Sequence, residues 1–137
     1  MFETFFLQTL FNSPVFILKK ELLFIPIFGW YLKKIGSISI KRGQITKDNL
    51  SFYDKISSVV ANSDRPLIIF PQGTRVLPYE RPPFKKGASR IYEKLKIACQ
   101  PVAINSGFVW PKSGKKNSNK IITISILQRI NLSLIHI

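Results

Sequence analysis

Apolar runs of only a few residues punctuate this chain. They are VFIL from Val15, GSISI from Gly36, PLIIF from Pro66, PVAIN from Pro101 and KIITISIL from Lys120. Each has strand length and strand composition, and the intervals between them carry helical spacing. ETFFLQTLF reads as a short helix stopped by Asn12, Ser13 and Pro14. Pro26 and Gly29 divide the aromatic stretch after Lys20 into short helical pieces. From Asp48, an N-cap residue by type, the spacing Leu50, Tyr53, Ile56, Val60 sets apolar groups on one helical face. ASRIYEKLK reads as a further helix, VLPYERPPFKKG as an irregular loop, and KSGKKNSNK as a polar hairpin tip. Helices alternating with short strands predict an α/β fold, a central mixed sheet flanked by helices.

A chain of 137 residues can bury a core without metal or disulfide staples. Its single cysteine, Cys99, has no internal partner, which suits a reducing compartment and gives no zinc signal. Twenty-one Lys and Arg against seven acids give a formal charge of +14. That excess favours a polyanion: nucleic acid, anionic lipid or a phosphorylated substrate. No helix-turn-helix, RNA-binding aromatic motif or zinc spacing supports nucleic acid.

In FILKKELLFIPIFGWYLKKIG the pairs Lys19–Lys20 and Lys33–Lys34 bracket Phe24, Phe28, Trp30 and Tyr31. The stretch is shorter than the roughly 20 apolar residues a spanning helix needs. It suits a surface lying at an anionic membrane boundary, or a core helix with solvated flanks. Glu3 and the lack of a basic leader speak against a signal peptide.

FPQGTR, Phe70 to Arg75, closes the third apolar run. Pro71 takes the backbone out of the ladder, Gly73 lets it approach a ligand, Thr74 offers a hydroxyl and Arg75 a fork suited to phosphate. Ligands commonly bind at strand ends in such sheets.

Lys20 to Leu22, Gly36 to Arg42, Ile68 to Arg75, Pro83 to Gly87 and Pro101 to Gly107 occur in an order that resembles the glycerol-phosphate acyltransferase superfamily. Within it the chain is most similar to bacterial 1-acylglycerol-3-phosphate (lysophosphatidate) acyltransferases, from about residue 3 to about residue 128. The resemblance implies acyl transfer from acyl-CoA or acyl carrier protein to the sn-2 hydroxyl of lysophosphatidate, giving phosphatidate. It implies no cofactor and no metal, and a location at the cytoplasmic face of the bacterial inner membrane. In that family a histidine base stands five positions before an orienting acid. Glu3 matches the acid, and the histidine's position falls before Met1, so residues 1–131 are expected to be a partial, inactive acyltransferase domain.

Gly36 and Arg42 match the second motif, with Lys41 where an acid often stands. The third motif usually carries glutamate where this chain has Gln72, which keeps an acceptor oxygen but loses acid–base capacity. By the same resemblance Arg42 and Arg75 hold the phosphate, with Gln72, Gly73 and Thr74 beside it, and Pro101 shapes the acyl region. The alternative is a lipid-binding surface module without chemistry. The last six residues, LSLIHI at 132–137, resemble the translation of a sequencing adapter and are set apart as a non-native tail.

Overall fold

The structure, a computed structural model, describes residues 2–41 and 48–131, with side chains left aside at 48–50. Arg42 and the 132–137 tail lie outside the described residues. The chain divides into two compact units, Met1–Ile69 and Phe70–Ile137.

In the first unit, helix α1 (Phe2–Leu10) leads through a turn to strand β1 (Val15–Lys19). Ser13 takes a positive φ of 47° and Pro14 follows, so the helix stops where the sequence predicts. A 3-10 turn (Lys20–Phe24), helix α2 (Phe28–Lys34) and strand β2 (Ile38–Ile40) come next, then helix α3 (Asp48–Ala61) and strand β3 (Leu67–Ile68). The strands form a parallel sheet in the order β2-β1-β3. Ile17, Leu18 and Lys19 face Ile38, Ser39 and Ile40, while Val15 and Phe16 face Leu67 and Ile68.

Parallel neighbours require crossovers, which α2 and α3 supply. Central β1 is accordingly almost wholly apolar, with Val15, Phe16 and Leu18 buried among Leu7, Phe28, Leu32, Ile38, Phe52 and Ile56.

In the second unit, helix α4 (Lys86–Leu95) precedes strand β4 (Val102–Ile104), helix α5 (Ser106–Val109) and strand β5 (Ile124–Ile126). β4 and β5 pair antiparallel, with Cys99 and Ile130 bridged beyond them.

The α/β class holds. Among the described residues the strands are divided between a parallel sheet and an antiparallel pair. Other differences are local. α3 is described from Asp48, the residues before it lying outside the described ones, and its buried row is Phe52 and Ile56, with Tyr53 and Val60 only half-buried. Phe52 and Tyr53 are adjacent apolar residues about 100° apart around the helix, and a rotation of that size decides which one is buried. The 112–120 stretch is a polar loop between α5 and β5 rather than a hairpin tip. PLIIF pairs only at Leu67 and Ile68, because the approach to Pro71 takes the chain out of the ladder.

Candidate functional site

The first unit carries a parallel sheet whose strand ends are the places its sequence motifs adjoin. All three strands run the same way, so their carboxyl ends share one edge. The chain leaves β2 at Ile40 and β3 at Ile68 from that edge, with β1 alone between them. Two inter-strand spacings amount to about 10 Å. The first exit leads to Arg42, outside the described residues, and the second runs directly into FPQGTR.

FPQGTR opens the second unit with a four-residue turn. The Gly73 N–H donates to the Phe70 carbonyl at 2.9 Å, with Pro71 and Gln72 at the corners. Proline's fixed φ fits the first corner, and glycine is the residue favoured at the closing position. Gly73 adopts φ 69°, the left-handed region that a side chain would strain. Beyond it Gln72, Thr74 and Arg75 are all exposed, and no acceptor among the described residues engages the Arg75 guanidinium.

The irregular loop then returns to the turn. The Lys85 N–H donates to the Pro71 carbonyl at 2.8 Å, which docks the start of α4 against the motif. Lys85 is the N-cap of α4 in extended conformation, Lys86 is its first residue, and no acid stands in its first turn. Helix N-termini carry positive partial charge and usually attract acids. Here lysines stand instead, so this end of the helix has an uncompensated pull on anions. Arg75, Lys85 and Lys86 thus belong to one hydrogen-bonded backbone assembly.

Gly36 belongs to the first unit. It closes α2 in a Schellman arrangement: its N–H donates to Lys33 O at 3.1 Å, and the Ser37 N–H to Leu32 O at 3.1 Å. Its φ of 77° is the left-handed cap conformation. A Cβ there would lie 3.1 Å from an Arg65 guanidinium nitrogen. Capping and close packing account for this glycine, and it stands at the amino end of β2, opposite the edge that leads to Arg42.

Glu3 lies in the first turn of α1, half-buried. Gln8, further along the same helix, shares a shallow depression with Ser13, Lys34, Ile35 and Arg65. Glu3 stands five residues before Gln8, about 7.5 Å of helix rise. Pro101 precedes β4, half-buried, and its carbonyl accepts from the Leu127 N–H at 2.9 Å. Among the described residues no group of three or more His, Cys, Asp or Glu side chains gathers to hold a metal ion.

An acyltransferase family model matches residues 2–105. The chain belongs to the acyltransferase family. This acyltransferase-family chain is 35% identical over 112 residues to a 1-acyl-sn-glycerol-3-phosphate acyltransferase of Pseudomonas aeruginosa, covering 82% of this chain and 43% of that protein. It is 40% identical over 97 residues to a protein of the same name from Helicobacter pylori, covering 69% and 40%. Its fold is similar to the crystal structure of the 1-acyl-sn-glycerophosphate acyltransferase from Thermotoga maritima, with TM-score 0.66 at 22% identity over 86% of this chain and 46% of that one. The chain spans less than half the length of these curated relatives.

Sequence reasoning missed Arg65. Its Nε donates to Ser13 O at 2.6 Å, and a terminal nitrogen donates to Ile35 O at 2.5 Å and Pro14 O at 3.4 Å. One guanidinium thereby ties the α1–β1 turn, the end of α2 and the entry to β3. Its only sequence signal is an arginine before a proline that opens a strand, which is too common to single out.

Proposed function

We propose that this chain is the acyl-transfer domain of a 1-acylglycerol-3-phosphate acyltransferase. It would act at the cytoplasmic face of a bacterial inner membrane, with acyl-CoA or acyl carrier protein as donor. The observation that carries the reading is the FPQGTR turn of the second unit, with Gly73 in left-handed backbone, Arg75 exposed just beyond it and the Lys85 N–H docked on the Pro71 carbonyl. The exposed Arg75 fork suits the phosphate of lysophosphatidate, and the lysine-bearing start of α4 adds to the positive field.

With the phosphate held, the free hydroxyl of the glycerol lies within reach of a base and of the acyl thioester. The base takes the hydroxyl proton as oxygen attacks the thioester carbonyl. The C–S bond breaks and the thiolate leaves, reprotonated by the same group. In this reading the base is a histidine five positions before Glu3, and Glu3 orients it. Gln72 offers a hydrogen bond to a glycerol hydroxyl but takes no proton at neutral pH.

The test is Arg75→Ala in a protein carrying that histidine. Losing a charge-assisted contact to phosphate costs about 1.5–3 kcal/mol, so lysophosphatidate affinity should fall roughly 10- to 100-fold. Affinity for the acyl donor and the thermal midpoint should not move, since Arg75 is exposed. Equal affinity in variant and parent removes the phosphate role.

A further inference from the structure

The aromatic stretch between the two lysine pairs folds into an unusual knuckle. Phe28 turns inward and is buried, while Phe24, Ile27 and Trp30 are 77%, 84% and 64% exposed. Ile27 forms the apex with φ 64° and ψ −55°. Around it the Phe28 N–H donates to the Pro26 carbonyl at 2.6 Å, closing a three-residue γ-turn of the positive-φ kind, which is rare and strained. For a β-branched residue that backbone is a genuine outlier.

The turn is held from both sides. The Gly29 N–H donates to Ile25 O at 2.7 Å, the Tyr31 N–H to Ile27 O at 2.9 Å, and Ile25 N–H to Leu22 O at 3.4 Å. Gly29 is buried against the 3-10 turn, where any Cβ would collide with the Leu23 carbonyl.

A glycine or asparagine at the apex would relieve the backbone and expose less apolar surface. Isoleucine is the costlier choice on both counts. Strain of this kind is retained where it serves a contact, and the surroundings identify its partner. Lys20, Lys33 and Lys34 are exposed around the knuckle and Lys19 is half-buried, against a single acid, Glu21, in the same stretch. Lys34 Nζ lies 4.7 Å from the centre of the Trp30 ring, so ammonium and indole share one level. An exposed apolar apex beside an indole and a set of lysines is the composition of a surface that meets acyl chains and anionic headgroups together. Among the described residues no helix is long and apolar enough to cross a membrane, so the knuckle would dip in without spanning.

We propose that the Ile27 knuckle is a wedge that inserts into an anionic lipid bilayer, with Phe24 and Trp30 flanking it and Lys20, Lys33 and Lys34 on the headgroups. The proposal rests on the lipid-substrate reading above and gives it a docking point.

The test compares the full chain with Ile27→Gly, Ile27→Ser and Lys33→Gln/Lys34→Gln by sedimentation with vesicles of phosphatidylglycerol and phosphatidylcholine in equal parts. Ile27→Gly should raise the thermal midpoint, because glycine takes this backbone freely, yet lower vesicle partition about tenfold. Ile27→Ser should lower partition similarly. The lysine pair should weaken binding only at low salt and only with phosphatidylglycerol present.

Partition by Ile27→Gly equal to the parent overturns the wedge. So does a loss of self-association in that variant with vesicle binding intact, which would make the knuckle a contact with a second copy. Acyl transfer to a short-chain, water-soluble lysophosphatidate without vesicles is measured in parallel on a protein carrying the histidine. Transfer without vesicle binding defeats the wedge alone, and Ile27-dependent binding without transfer defeats the acyltransferase reading alone.

Discussion

Arg65 makes the most quantitative prediction. Its guanidinium donates to Ser13 O, Ile35 O and Pro14 O at 2.6, 2.5 and 3.4 Å. The first is solvent-exposed and the third is long, so the bond to Ile35 is the strongest of the three. Hydrogen bonds to charged groups contribute about 1.5–3 kcal/mol each, and exposure reduces that. Counting the Ile35 bond in full and the other two at a fraction, Arg65→Ala should cost about 2–4 kcal/mol. Arg65→Lys keeps the charge but reaches one carbonyl at a time, and should lose about half of that.

The neighbour provides an internal check. Gly36→Ala should cost about 1–2 kcal/mol from its left-handed backbone, plus a further increment where the Cβ crowds the guanidinium. Removing Arg65 abolishes the crowding, so the double variant should lose less than the sum of the two single losses. Urea unfolding followed by circular dichroism, with slopes compared, measures all four corners. A loss below about 0.5 kcal/mol for Arg65→Ala would refute the clamp, as that is the range of ordinary surface changes. Strict additivity with Gly36→Ala would refute the contact.

The remaining expectations are simpler. Gly29→Ala drives a Cβ into the Leu23 carbonyl, which is backbone and cannot swing aside, so urea unfolding should show a loss of about 3 kcal/mol or more. Alanine tolerated there at less than about 1 kcal/mol would mean the 3-10 turn and α2 are not packed so closely. Tyr31 packs on Phe5 and Phe28, with ring centres 4.8 and 6.3 Å away, and burial raises its pKa above the ordinary value of about 10. Because the unfolded phenol ionises first, its share of stability is complete below pH of about 10 and is lost as pH climbs through the folded value. Ultraviolet titration should show a late-ionising phenol that Tyr31→Phe removes. The same titration in parent and variant would contradict the raised Tyr31 pKa.

Local patterns carried much of the first unit. ETFFLQTLF ended at Asn-Ser-Pro because the chain there must leave the helical region, and Ser13 does so. VFIL was legible as a strand because a run buried on both faces has no polar side to show, while its central place came only with the strand order. The FPQGTR turn was legible for the same kind of reason: Pro71 and Gly73 restrict their own backbone whatever surrounds them. Gly36 was less transparent. A conformational requirement can be read from a glycine, but whether it serves a ligand or a helix cap depends on Leu32, Lys33 and Arg65.

By itself, then, the sequence determined the properties that each residue carries in its own bonds: where helices stop, which runs are strands, the turn at Pro71, the excess of positive charge and the ordered motifs of the acyltransferase family. Tertiary structure alone decided what depends on residues distant along the chain. It made β2 and β3 parallel so that two segments leave one edge, closed Arg65 onto three carbonyls, docked Lys85 on Pro71, and raised Ile27 on a strained turn. The physical reason is range. Backbone preference acts over a few residues, whereas strand order and clamps arise only when the whole unit buries its apolar faces together.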